Sequence, residues 1–160
     1  MILRGFLLIA APLALTTVPL HAQVQTPSKK EVQLPAELAG AERTLNAFHQ
    51  ALRSGDKTAA LGLLAEDARI YESGHAETKS EYGAHHLEAD IAFAKEVPGT
   101  TVSRHGGSAG TIVWLTTEGR ATGNYKGKAV SRQTTETAVL RSDAGKWRIV
   151  HLHWSSAAAK

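Results

Sequence analysis

The chain of 160 residues has no cysteine. That absence removes disulfides, thiolate zinc sites, a cysteine nucleophile and a lipid-bearing cysteine at a processing site. Its eight histidines are left as the main candidate ligands or bases. Charge of one sign is also scarce. Eighteen basic residues against 15 acidic ones leave +3, and the basic residues are scattered, so a pI near 9.3 is no argument for nucleic acid. No nucleophile elbow, HExxH pair, phosphate-cradling glycine loop or calcium loop is present. Gly106-Gly107-Ser108-Ala109-Gly110 lacks the strand-to-helix context a phosphate loop needs. After the amino-terminal segment no apolar run approaches the ~20 residues of a membrane helix. What remains is ordinary in bulk, 42% hydrophobic and 21% charged, which suits one globular domain and excludes disorder, collagen and coiled coil.

The amino terminus reads as an address. Met1-Ile2-Leu3-Arg4 is short and positive, an apolar run interrupted by two Thr and two Pro follows, and Leu20-His21-Ala22 before Gln23 offers a small residue for cleavage. Residues 1–22 are therefore expected to be a signal peptide, cut after Ala22. The mature chain is expected to be periplasmic or secreted, without a membrane helix. Residues 23–35, with two Pro and Lys29-Lys30-Glu31, read as a flexible lead-in.

Hydrophobic spacing divides the rest into a helical half and a strand half. Leu38, Ala41, Leu45, Phe48 and Leu52 recur at three- and four-residue steps, one face of a helix that Ser54-Gly55 ends. Asp56 is placed to cap a short second helix through Ala59, Leu61 and Leu64. Residues 69–72 read as a strand and Ser73-Gly74-His75 as a loop. Thr78 followed by Glu81 is a capping box, opening a third helix that runs to about Val97 before Pro98-Gly99. Residues 100–104, 111–117, 129–140 and 147–155 are rich in Thr, Val, Ile and Trp. Gly106-Gly107, Gly123-Asn124 and Asp143-Ala144-Gly145 read as the turns between them. The expected fold is α+β: three N-terminal helices packed on a curved antiparallel sheet.

The order of these elements, the Gly55-Asp56 start of the short helix and the closing run Gly145-Lys146-Trp147-Arg148-Ile149-Val150-His151-Leu152-His153-Trp154-Ser155 carry a resemblance. Over residues 38–156 the chain is similar to the nuclear transport factor 2-like superfamily. Its SnoaL-like branch and the association domain of calcium/calmodulin-dependent kinase are most similar. The resemblance implies a cone, in which long helices close a strongly bent sheet around a pocket, over domain residues 36–156 with a short tail at 157–160. It also implies dimerisation through the sheet. Members include isomerases, dehydratases, polyketide cyclases, hydrolases and pure binding modules, so the resemblance names a pocket and not a reaction.

Several residues are candidates for that pocket. His86 and Asp90 fall mid-stripe on the apolar face of the third helix, between Tyr82, Phe93 and Val97. The four-residue step lets Asp90 reach His86, fix its tautomer and leave the other nitrogen as a catalytic base or metal ligand. The same pair also reads as a satisfied structural contact. On the last strand His151 and His153 share a face with Trp147, Ile149 and Ser155, opposite Val150, Leu152 and Trp154. An H-x-H pair is a two-nitrogen metal clamp that needs a third ligand from elsewhere, or a packed or interface pair. A bulge in this strand would turn either histidine inward. On the preceding strand Arg132, Thr134 and Glu136 share a face with Ala138 and Leu140, on the side of Leu152 and Trp154 if the hairpin is in register. Arg132 is suited to an anionic group and Glu136 to pairing or acting as a base. Tyr71, Tyr82, Trp114 and Trp154 complete the candidate ligand wall, each also readable as core. His75 and Glu77 precede the third helix where a rim would lie.

Three functions stay open at this stage. The first is an exported protein that binds a small molecule, with no cofactor implied. The second is an acid-base enzyme of isomerase, dehydratase or hydrolase type using His86 and Asp90. The third is a metal binder using His151 and His153.

Overall fold

A computed structural model describes residues 34–159. The signal peptide and most of the lead-in expected at 1–35 lie outside the described residues. A 3-10 turn, Ala36–Leu38, leads into α1 (Ala39–Ser54), followed by α2 (Lys57–Leu63), β1 (Leu64–Glu72), β2 (His75–Thr78), α3 (Lys79–His85) and α4 (Leu87–Glu96). Four long strands follow: β3 (Gly99–Ala109), β4 (Ile112–Tyr125), β5 (Lys128–Asp143) and β6 (Lys146–Ala158). The six strands form one curved sheet in the order β2-β1-β6-β5-β4-β3, antiparallel except where β1 runs parallel to β6. No helix among the described residues is long and apolar enough to cross a membrane.

Local chemistry sets the helix ends. Gly55 in the left-handed conformation terminates α1, and the Asp56 carboxylate accepts from the Ala59 amide to open α2. Thr78 and Glu81 form the reciprocal capping box of α3. The expected single third helix is interrupted at His86, so the described residues form four α-helices. The loop read at Ser73-Gly74-His75 is a tight turn, and β2 begins at His75. Ser73-Gly74, Lys126-Gly127 and Ala144-Gly145 each have two successive positive φ angles, the twist that two-residue hairpins need.

Two pairs read as turns lie inside strands. Gly106-Gly107 pairs with Leu115 and Trp114, and Gly123-Asn124 pairs with Val130 and Ala129. Gly123 is required by contact: a Cβ there would stand 2.9 Å from Val97 Cα and against the Glu96 carbonyl, where the end of α4 crosses β4. Sequence punctuation cannot distinguish a glycine that turns the chain from one that lets another backbone approach.

The core is the apolar face of α1 laid on the sheet. Leu38, Leu45 and Phe48 meet Val113, Leu115, Leu140, Ile149 and Leu152, all fully buried. A bulge at Val150 decides which β6 residues take part. Leu140 pairs with Ile149, but Val139 pairs with His151, so one residue is skipped. Ile149 therefore faces the core together with Leu152 and Trp154. This corrects the expectation that strict alternation puts it beside His151 and His153. The bulge turns neither histidine inward.

Candidate functional site

Beyond the core the inner face of the sheet becomes polar one row at a time. The last apolar row crosses the sheet as Ile70, Leu152, Ala138, Leu115 and Gly106. The next, one same-face step along each strand, is Glu72, Trp154, Glu136, Thr117 and Arg104 in continuous register. The row after that carries Ser156, Thr134, Gly119 and Thr101. These outer rows floor a cavity of about 1020 Å³. Leu52 of α1 and Ala89, Phe93, Ala94 and Val97 of α4 supply its apolar wall.

Glu136 is the centre of the floor and is 8% exposed. Its Oε2 accepts from Trp154 Nε1 at 2.7 Å and from His49 Nε2 at 2.8 Å. Burial is the largest single influence on this carboxyl and opposes its ionisation. The charge and hydrogen bond of His49, the Trp154 N–H and the charge of Arg104 together outweigh burial and hold it below the ordinary carboxylate range. An ionised carboxylate only accepts, so the His49 Nε2 that faces it carries a proton. The Phe48 ring fixes this arrangement, stacking on Trp154 at 6.2 Å and meeting His49 edge-on at 5.8 Å.

Arg104 lies at the other end of the row and is 6% exposed. Its Nε donates to Thr117 Oγ1 at 3.0 Å, and its Nη1 to Asn46 Oδ1 at 2.8 Å and Glu42 Oε1 at 3.3 Å. Glu42, Asn46, His49 and Arg53 follow four-, three- and four-residue steps on α1, so one helical stripe brings the partners of both Arg104 and Glu136 to the sheet. This stripe was missed in the sequence. Its spacing is visible there, but a polar stripe beside an apolar one is also what a solvated helix face looks like.

A second polar group borders the cavity at α4. Tyr82, fully buried, donates its hydroxyl to Asp90 Oδ2 at 2.8 Å. Burial raises Asp90 above the ordinary aspartate range, with the Tyr82 hydrogen bond opposing, and burial followed by the charge of Asp90 raises Glu72. His86 sits at the break between α3 and α4 with its side chain 49% exposed, and its Nδ1 bonds Glu77 Oε2. That bond is the main reason its pKa is raised. The expected side-chain pairing of His86 with Asp90 is thus corrected. The four-residue step is used by the backbone, Asp90 N donating to His86 O at 3.0 Å, while each side chain has another partner. The helix break rotates the imidazole off the apolar stripe.

Of the other candidates, Arg132, Glu136 and Trp154 line the cavity, with Arg132 donating to Ser156 Oγ near the mouth. Glu136 and Trp154 are cross-strand partners, on the same face as the in-register reading required. Tyr71 and Trp114 are corrections to the ligand wall. They lie on the opposite face of the sheet, 39% and 44% exposed, where the Tyr71 ring stands 5.2 Å from His151 and 6.5 Å from His153. Burial, then the neighbouring His153, lowers the pKa of His151. Among the described residues no three His, Asp or Glu side chains converge as a metal site, so this histidine pair has no third ligand there. His75 stacks obliquely on His86 at 6.1 Å, and neither of these histidines nor Glu77 lines the cavity.

Helices closing one face of a curved six-stranded sheet over a polar-floored cavity define a nuclear transport factor 2-like domain. The SnoaL-like domain family matches residues 41–159, and the chain belongs to that family. No curated protein matches it. Among solved structures it is similar to a Shewanella frigidimarina protein named as a candidate ketosteroid isomerase. The two are 36% identical with a TM-score of 0.70, over 72% of this chain and 94% of that one. A Xanthomonas campestris protein named as a candidate calcium/calmodulin-dependent protein kinase II association domain is 21% identical, with a TM-score of 0.65 over 79% of this chain and 93% of that one. A candidate dehydratase from Streptomyces avermitilis is 15% identical, with a TM-score of 0.67 over 77% and 97%. The last two show a shared fold.

Proposed function

We propose that this chain is exported, loses residues 1–22, and works in a periplasm or outside the cell by binding a small molecule in its cavity. The observation that carries the reading is the polar row on the cavity floor. Glu136 and Arg104 are charged, nearly buried and held by five hydrogen bonds and ion contacts at the boundary of an apolar core. A core alone would be served as well by apolar residues of similar volume, whereas convergent polar groups beside an apolar wall suit a ligand. Native mass spectrometry of the full-length gene product, recovered from its own compartment, tests both parts. A mass starting at Gln23 with a released small molecule is expected. Uncleaved protein confined to the cytosol and empty of ligand would refute the reading.

Acid-base catalysis is a second reading, moved from His86 and Asp90 to His49 and Glu136 by one observation: this carboxylate-held imidazole lines the cavity. Its fit is to an isomerase or dehydratase that moves a proton, as the name of the Shewanella relative suggests. In a screen of ketone and hydroxyketone substrates, His49→Gln is expected to lower turnover at least a hundredfold. Unchanged turnover would remove His49 from the chemistry.

The outer sheet face supports a homodimer. Trp114, Val139, His151 and Tyr71 present a contiguous, partly apolar surface there, and similar folds include domains named for association. Light scattering is expected to show a dimer that Trp114→Arg dissociates. A wild-type monomer at micromolar concentration would refute it.

A further inference from the structure

The floor row has two atoms that its own network leaves without a partner. Arg104 uses Nε and Nη1, but Nη2 meets no acceptor among the described residues. Both donors to Glu136 arrive at Oε2, and Oε1 receives none among the described residues. No buried side-chain nitrogen or oxygen there lacks a partner, so these two atoms keep access to open space, and both residues line the same cavity. Leaving a guanidinium edge and a carboxylate oxygen unsatisfied at nearly buried positions is costly unless water or a ligand completes them. Thr117 alone separates the two residues in the row, which puts their backbones two strand spacings, about 10 Å, apart. Their side chains stand on one face, and Arg104 is close enough to favour the charged form of Glu136. Phe93, Ala94 and Val97 add apolar surface to the same cavity, beside the single carboxyl that α4 contributes, Asp90.

Resting on the small-molecule reading above, we propose that the ligand is a small organic acid carrying a hydroxyl or amine besides its carboxylate. The carboxylate accepts from Arg104 Nη2, the second group donates to Glu136 Oε1, and the apolar body lies against α4. A neutral carbonyl would give the guanidinium edge a weaker partner than a carboxylate, and an acid lacking a donor would set its oxygens against Glu136 with nothing to bridge them.

Calorimetric titration of the mature protein with 3-phenyllactate, 3-phenylpropionate and 3-phenyllactamide tests the assignment, the three differing only in the donor or the charge. Phenyllactate is expected to bind at least tenfold more tightly than either of the others. In Arg104→Gln its advantage over the amide is expected to disappear while the amide still binds, which shows the cavity intact. If that variant does not fold, the ranking on the wild-type protein still decides. Equal binding of phenyllactate and its amide overturns the inference, and so does equal binding of phenyllactate and phenylpropionate. Amide binding in either case leaves the small-molecule reading standing. Binding by none of the three also overturns the inference, and the ligand retained in native mass spectrometry then decides the broader reading separately.

Discussion

Replacing Glu136 with Leu removes the one buried acceptor that two partly buried donors share. Trp154 Nε1 and His49 Nε2 both lose their partner, and neither makes another hydrogen bond among the described residues. A hydrogen bond to a charged group contributes ~1.5–3 kcal/mol, and breaking a buried pair from one side costs ~3–5 kcal/mol. The second range already contains most of the first, so a loss of about 3–5 kcal/mol is expected at pH 7. Glu136→Gln should lose less, about 1–2 kcal/mol, because its amide oxygen accepts from Trp154 while its N–H donates to His49 in the other tautomer. Urea denaturation followed by tryptophan fluorescence measures both. The pH dependence is a stricter test. The folded carboxyl titrates below its ordinary value of 4.5, so its stabilisation is fully present above that pH and is lost as pH falls through the folded value. The gap between wild type and Glu136→Leu should be constant from pH 7 to about 5 and narrow below about 4.5. A gap that stays constant to pH 3, or widens, would show that Glu136 is not a held anion and would refute the reasoning.

Three further outcomes follow from the same geometry. Asp90→Asn should cost under ~1 kcal/mol at pH 7, because the amide oxygen still accepts from Tyr82 and no charge is buried, whereas Asp90→Ala orphans that hydroxyl and should cost ~1–3 kcal/mol in urea melts. Histidine NMR should place His86 above 6.5, and Glu77→Gln should bring it back down. Because the folded pKa is raised, what the pair adds to stability is present below the ordinary value and fades as pH rises through the folded one. Gly123→Ala should cost about 3 kcal/mol, since its Cβ meets the backbone of Val97 and Glu96 rather than a side chain able to move; a melt within 0.5 kcal/mol of wild type would contradict that crossing.

Local pattern determined the elements. The three- and four-residue apolar steps of α1, the Asp56 cap, the capping box at Thr78 and the β-branched carboxy-terminal half depend on neighbours within a few residues, and the structure has them all. The closing motif also carried the SnoaL-like family. What the sequence does not contain is which face each residue meets, because that is settled by pairing across the sheet. One skipped residue, Val150, turns Ile149 toward the core and keeps Leu152 and Trp154 there, so alternation read across the bulge assigned Ile149 wrongly. Glu136 and Trp154 were legible as a same-face pair because they lie on one side of that bulge. Tyr71 and Trp114 were not, since an aromatic on a strand reads alike from either face. The break at His86 separated a pair that a continuous helix would have joined. His49 and Arg104 became site residues only when α1 was laid across β3 and β5, which brings His49 to Glu136 and Asn46 to Arg104, 58 positions further along the chain. Burial gives their charges meaning, and burial belongs to the tertiary structure alone.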